Sequence, residues 1–316
     1  MKNIVIALFG VFLTYNELYA SNNDVIARIT GEGGSITVYG PPAGVNTSTT
    51  GHYSENFVEY PIVEQPSRPY LGCSTLNERH REISRLKHHE CHHGDRCIIF
   101  EGYPETETGC PSDREEIVLS HGNNPDAMGF GDWRYLRFYF KVHPDTKVGG
   151  QRAIISQVWQ HDSTAYGSRP ALGPAFAIFL RDHGSDPNKM YVDFTYRNEV
   201  SKQNPAVTFH TDTIWKSSWY VYHVKMKARY DGPRGVILLW KNKGLHNKFS
   251  LEEAINYSSV YDGNYKFYWG YPPSPENGLQ SKFSIRVGIY RPMTDYFTFW
   301  MDSIKVTSTP IAMDGI

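Results

Sequence analysis

From about residue 96 onward the chain is a succession of short segments rich in β-branched and aromatic residues, and that succession limits the fold more than any other feature. The segments are CIIFEGY, REEIVLS, WRYLRFYFKV, RAIISQVWQ, AFAIFLRD, MYVDFTYR, WYVYHVKMKARY, GVILLWKN, FSIRVGIYR and FTFWMDSIKV. Turn signals such as HPDTKVGG, RDHGSDPN, ARYDGPRG and KNKG stand between them, and no helical period intervenes. Roughly ten strands without helices leave an antiparallel sandwich or barrel. In WRYLRFYFKV, Leu136, Phe138, Phe140 and Val142 alternate with Tyr135, Arg137, Tyr139 and Lys141. One face of that strand is core and the other is wet or functional. FSIRVGIYRP repeats the pattern: Phe283, Ile285, Val287 and Ile289 face one way, while Ser284, Arg286, Gly288 and Tyr290 face the other.

The N-terminal third differs. MKNIVIALFGVFLTYNELYA has Lys2, an apolar run from Ile4 to Leu13 and a polar stretch ending in Ala20. This reads as a signal peptide over residues 1–20. The run is too short to span a bilayer, and no later segment is long and apolar enough. The expectation is therefore a secreted or periplasmic protein with no membrane span. Residues 21–95 read as a loop-rich region: 21 to about 70 are rich in Gly, Ser, Thr, Asn and Pro, with a short strand expected at SITVYG, and the charge-dominated stretch within 75–95 is expected to form one surface helix. Cys73, Cys91, Cys97 and Cys110 fall close together. In an exported chain they imply two disulfides, with three pairings open. KHHECHHGDRC invites a zinc reading, but its spacing matches no common site, and no metal is expected. The net charge of −1 supplies no global basic field, so a nucleic-acid partner is not expected and an anionic ligand needs a local basic cleft. His223, Lys225, Lys227 and Arg229 share one strand face, which reads as a solvated outer surface.

Three strands carry polar side chains where a plain sandwich would carry Thr, Ser or Lys. DREEIVLS presents Arg114 and Glu116 on one face. IISQVWQHD presents Gln157, Trp159 and His161, and FSIRVGIYR presents Arg286 and Tyr290. In this order the set resembles the jelly-roll polysaccharide lyases, the alginate lyase, glucuronan lyase and heparin lyase I-like families. Those carry an R-[ST]-E-L strand, a Q-[IV]-H strand and a Y-F-K-A-G-x-Y strand. The hairpin WYVYHVKMKARYDGPRGVILLWKNKG and the closing strand MDSIKV are similar to the glucuronan and heparin lyase branch. The resemblance covers roughly residues 96–308. It departs at Trp159, which stands at the histidine position with His161 two residues on. Arg286 stands for the family's Lys, Ser284 for its first aromatic, and Glu115 for its small hydroxyl residue.

The resemblance implies a concanavalin-like β-jelly roll, a sandwich of two antiparallel sheets over 96–316, preceded by a loop-rich, disulfide-stapled N-terminal region. It further implies β-elimination on an acidic polysaccharide by a monomer that requires no cofactor. Some relatives bind structural calcium, but no acidic-loop pattern here supports such a site. Such a reaction must neutralise the C6 carboxylate, remove the C5 proton and protonate the departing O4. By resemblance Arg114, Gln157 and His161 meet the carboxylate, and Tyr290 exchanges the protons. Arg286, Glu116 and Trp159 bind or orient substrate. Arg286 is expected to lower the Tyr290 pKa from its ordinary value of about 10, and Gly288 to leave room for the sugar ring. Two other readings stay open. A lectin-type sandwich would bind acidic glycan without cutting it. A sandwich glycoside hydrolase would need two carboxylates about 5–5.5 Å apart, and no E-x-D-x-x-E strand is present.

Overall fold

The computed structural model describes residues 25–29, 35–39, 53–54, 57–61, 91–92, 97–102, 112–120, 127–162, 173–197, 206–231, 235–243, 263–273, 279–292 and 295–309. The expected signal peptide, nearly all of the expected helix within 75–95, Cys73 and Cys110 lie outside them. At Arg114, Glu116 and His161 the backbone alone is described. Among the described residues the strands are β1 (Val25–Ile29), β2 (Ser35–Tyr39), β3 (Tyr53–Ser54), β4 (Phe57–Pro61), β5 (Ile98–Gly102), β6 (Ser112–Ser120), β7 (Met128–Gly129), β8 (Arg134–Val142), β9 (Ala153–Asp162), β10 (Phe176–Asp182), β11 (Lys189–Tyr196), β12 (Val207–Trp215), β13 (Tyr220–Lys227), β14 (Gly235–Lys243), β15 (Gly263–Phe267), β16 (Leu279–Pro292) and β17 (Phe297–Thr307).

The strands form two seven-stranded antiparallel sheets and a small third one, β2-β4-β3. The first sheet runs β1-β17-β8-β13-β14-β15, with β5 also on β17. The second runs β12-β11-β10-β9-β16-β6, with β7 also on β16. All ten expected segments, and SITVYG, are strands. The inward faces meet in one core. Leu136, Phe138, Phe140 and Val142 of β8 are fully buried there with Phe283, Ile285, Val287 and Ile289 of β16. Contacts such as Phe194 on Tyr222, at 5.4 Å between ring centroids, join the two sheets. This is the β-jelly-roll sandwich expected from the sequence. β12 was not expected. It is an edge strand whose residues, VTFHTDTIW, are mostly polar and carry little apolar alternation.

Bulges keep the apolar face inward where strict alternation would fail. In β17, Phe297, Phe299 and Met301 are inward, and so are Ile304 and Val306. The parity change falls where Asp302 pairs with Tyr139 but Lys305 with Arg137. One extra residue, with Ser303 at φ 45°, resets the pleat.

The outer face of the first sheet corrects the expectation of a solvated surface. Tyr135, Tyr139, Trp219 and Trp300 are buried there, and His223 is only 2% exposed. Lys225 and Lys227 both lie 4.6 Å from the Trp133 ring instead of forming a charged stripe in water. A disulfide links Cys91 and Cys97, which removes both thiolates from the zinc reading. Cys91 and Cys97 pack with Tyr139, Trp219, Val221 and Trp300. His92 stacks on Tyr139 at 4.1 Å, and its backbone N–H donates to Asp302 Oδ2 at 3.0 Å. The staple thus caps the first sheet, on the opposite side of the sandwich from the polar strands β6, β9 and β16.

Candidate functional site

The three polar strands are neighbours: β16 lies between β9 and β6 in the second sheet. Because Phe283, Ile285, Val287 and Ile289 of β16 fill the core, Ser284, Arg286, Gly288 and Tyr290 fall on the outer face. Register then decides what stands beside them. Arg286 pairs with Gln157 and Ser284 with Trp159 on one side. Gly288 pairs with Glu116 and Tyr290 with Arg114 on the other. Directly paired positions share a sheet face. Six of the seven expected site positions therefore assemble in one patch. His161 follows at the next alternate position of β9.

A bulge puts Gln157 there. Ala153 and Ile155 of β9 point into the core, so strict alternation would send Gln157 after them. Opposite β10, Ser156 pairs with Ile178 and Ile154 with Phe179, leaving Ile155 as an extra residue. The pleat is reset: Ser156, paired with the core residues Ile178 and Val287, and then Val158 turn inward, and Gln157 and Trp159 turn outward. Against β16 the mismatch is reversed. Val287 pairs with Ser156 and Tyr290 with Ile154, so β16 holds the extra residue. Gly288 sits in that interval with φ 131°, a backbone conformation that L side chains rarely adopt. Its backbone conformation is thus a sufficient reason for glycine, apart from any room for a sugar.

The environments differ sharply across the patch. Tyr290 is 39% exposed and Arg286 is half-buried, whereas Gln157 is 1% exposed and Ser284 is buried beside it. Beneath the patch, on the inward face, Ser156 Oγ donates to the Arg286 carbonyl at 3.0 Å and ties β9 to β16. Gln160 points inward instead. Its Nε2 donates to the Tyr271 carbonyl at 2.7 Å, and the Tyr271 N–H donates to its Oε1 at 2.6 Å. The Tyr271 hydroxyl donates to the Gly173 carbonyl at 2.8 Å. Burial, opposed by Arg197, pushes that phenol up to about 12. Tyr271 is accordingly a neutral structural phenol, while Tyr290 meets solvent. Among the described residues no group of three or more His, Cys, Asp or Glu could hold a metal ion.

The patch continues along the same sheet face in residues that the sequence reading missed. Asp193 of β11 accepts from Arg181 Nε at 2.6 Å and from Thr211 Oγ1 at 2.7 Å. Arg152 Nη2 is 3.8 Å from the same carboxylate. The Arg181 guanidinium lies 4.0 Å over the Tyr191 ring. The available signal was opposite charge on outward positions of two consecutive strands, FLRD and YVDF, joined by a short turn.

No family model matches the chain, and no curated protein matches it. Among solved structures it overlaps the endo-β-1,4-glucuronan lyase of the fungus Trichoderma reesei with a TM-score of 0.49 and 16% identity, over 72% of this chain and 87% of that one. It overlaps an alginate lyase from Pseudomonas aeruginosa with a TM-score of 0.36 and 11% identity, over 61% and 73% of the two chains. The binding domain of a botulinum neurotoxin overlaps with a TM-score of 0.41 and 9% identity, over 93% of this chain and 51% of that one. Catalytic and binding proteins both occur among these overlaps, and at this level none carries a functional inference.

Proposed function

We propose that the protein is an exported polysaccharide lyase that cleaves a uronic-acid-containing polysaccharide by β-elimination, acting as a monomer. The observation that supports this reading most is the strand order β9-β16-β6. It gathers Gln157, Arg286, Tyr290 and the backbone positions of Arg114 and Glu116 onto one outer sheet face. A plain sandwich has no need for an amide, guanidinium groups, a carboxylate and a phenol on adjacent strands.

In this reading Arg114 and Gln157, with His161 beyond them, donate to the substrate's C6 carboxylate and take up the charge that develops on it. The Tyr290 hydroxyl sits at the exposed end of the patch and exchanges protons with C5 and O4. The C5–H bond breaks, its electron pair forms the C4–C5 double bond, and the C4–O4 bond breaks. O4 leaves with that bond's electron pair and receives a proton. Arg286 positions the sugar, Glu116 orients the neighbouring donors, and Trp159 stacks on a ring. No redox partner or cofactor is required by this balance.

The test is a screen of the mature protein against alginate, glucuronan, heparin, heparan sulfate and hyaluronan, reading the ultraviolet absorbance of the new double bond. One polymer should give a rise, and Tyr290→Phe should lower its rate by roughly 10²–10⁴-fold. A Tyr290→Phe protein that cleaves at the wild-type rate refutes the assignment. Two observations favour a lectin-type reading instead: Gln157 is 1% exposed, and Trp159 occupies the histidine position. That reading predicts calorimetric binding to the same polymers with no absorbance rise.

A further inference from the structure

We infer that Arg152 and Arg181, gathered around Asp193, form a distal cationic subsite that holds a uronate carboxylate of a polymer lying across the strands from Tyr290. This rests on the proposal that an acidic glycan occupies the outer face of the second sheet. Register defines the line. Tyr290 pairs with Ile154, Ile154 with Phe179, Phe179 with Asp193, and Asp193 with Thr211. Tyr290 and Asp193 are three strand spacings apart, roughly 14 Å at about 4.8 Å each. That is the span of a few sugar units, so one extended chain reaches both.

The charge and the geometry suit a carboxylate. Among the described residues two guanidinium groups share one buried carboxylate, which leaves the cluster one cation in excess. Asp193 engages Arg181 side-on, through Nε at 2.6 Å and Nη2 at 3.4 Å. The end-on Nη1–Nη2 edge still faces away from Asp193, and that edge matches a second carboxylate bidentately. Tyr191 beneath the guanidinium and the buried Asp193 beside it fix Arg181 in place, so little rotamer freedom is lost on binding. The side chains remain reachable, 34% exposed for Arg181 and 45% for Arg152. Arg152 lies over the Phe179 ring at 5.9 Å, and Phe179 and Tyr191 add apolar surface for sugar rings. A cluster serving only to hold the sheet together would need one arginine, not two on the rim of one carboxylate.

The experiment uses uronate oligosaccharides of increasing length, made from whichever polymer the wild type cleaves, with Arg152→Ala and Arg181→Lys compared to wild type. The ratio of kcat/KM on long oligosaccharides to that on the shortest cleavable one should fall roughly ten- to hundredfold in Arg152→Ala. The loss should lie in KM and not in kcat, because a remote contact is made equally in ground and transition states. Arg181→Lys keeps a cation beside Asp193 but loses the fork, and it should show the same length dependence. Should Arg152→Ala fail to fold, Arg181→Lys decides. If the wild type binds without cleaving, calorimetric affinity over the same length series is the readout. Variants whose ratio equals that of wild type overturn the subsite and leave the lyase proposal standing. A wild type that neither cleaves nor binds any uronate polymer overturns both.

Discussion

Replacing Gly288 by Ala tests whether the bulge beneath the polar patch needs glycine. Gly288 holds φ at 131° in the interval where β16 carries one residue more than β9. A Cβ there imposes a strain of about 1–3 kcal/mol. Against this, alanine stiffens the unfolded chain and contributes about 0.4–1 kcal/mol toward stability. The midpoints of the two ranges leave a net loss of about 1.3 kcal/mol, or a fall in Tm of roughly 3–5 °C for a domain of this size. Gly184 is the internal control: its backbone is not in the positive-φ range, and a Cβ there would meet nothing within 4 Å. Gly184→Ala should therefore melt at or slightly above the wild-type temperature. Both are read by thermal unfolding followed by circular dichroism. If the alanine chain instead escapes the strain by losing the bulge, β16 slips against β9 and the Arg286–Gln157 pairing is lost, so any lyase activity should drop with the Tm. A Gly288→Ala protein that melts within a degree of wild type would show that the conformation does not require glycine, and the account of this residue would be wrong.

Three further perturbations probe the framework. Gln160→Leu strands the buried backbone N–H and carbonyl of Tyr271, and at about 1–3 kcal/mol for each orphaned group it should destabilise by roughly 2–6 kcal/mol in urea unfolding; a loss under 1 kcal/mol contradicts the paired geometry. Burial, and secondarily Arg137, hold the His223 imidazole well below the usual histidine value, so the unfolded chain binds a proton there that the folded chain does not. Stability should be full above pH 6.5 and fall as the pH drops below it, by up to about 1.4 kcal/mol per pH unit from this group; a His223→Gln protein should show a shallower decline between pH 6.5 and 5, and an identical decline excludes this histidine as a cause. Breaking the Cys91–Cys97 disulfide by Cys91→Ser opens a short loop of sequence separation 6, for which chain entropy predicts a loss of about 2 kcal/mol; the staple packs on Trp219 and Trp300, so tryptophan fluorescence should shift with it, and an unchanged spectrum and Tm would separate the staple from the fold.

The faces of individual strands were readable because the β pleat is local. Side chains alternate with period two, so Phe283, Ile285, Val287 and Ile289 declare their own inward side and Arg286 and Tyr290 theirs, whatever the strand pairs with. The apolar runs likewise sufficed for the sandwich class and for all ten expected strands. Polar β12 escaped notice because an edge strand can form with little apolar alternation in its own residues. Pairing is another matter. That β16 lies between β9 and β6, that Ile155 is an extra residue turning Gln157 outward, and that Asp193 gathers two arginines are all facts of register between segments distant in the chain. Burial of Gln157, and the cap that covers His223 and its aromatic neighbours, depend on packing partners from elsewhere in the chain. Alternation is a property of one strand; neighbours, bulges and covering layers belong to the whole assembly, and a linear pattern carries no term for them.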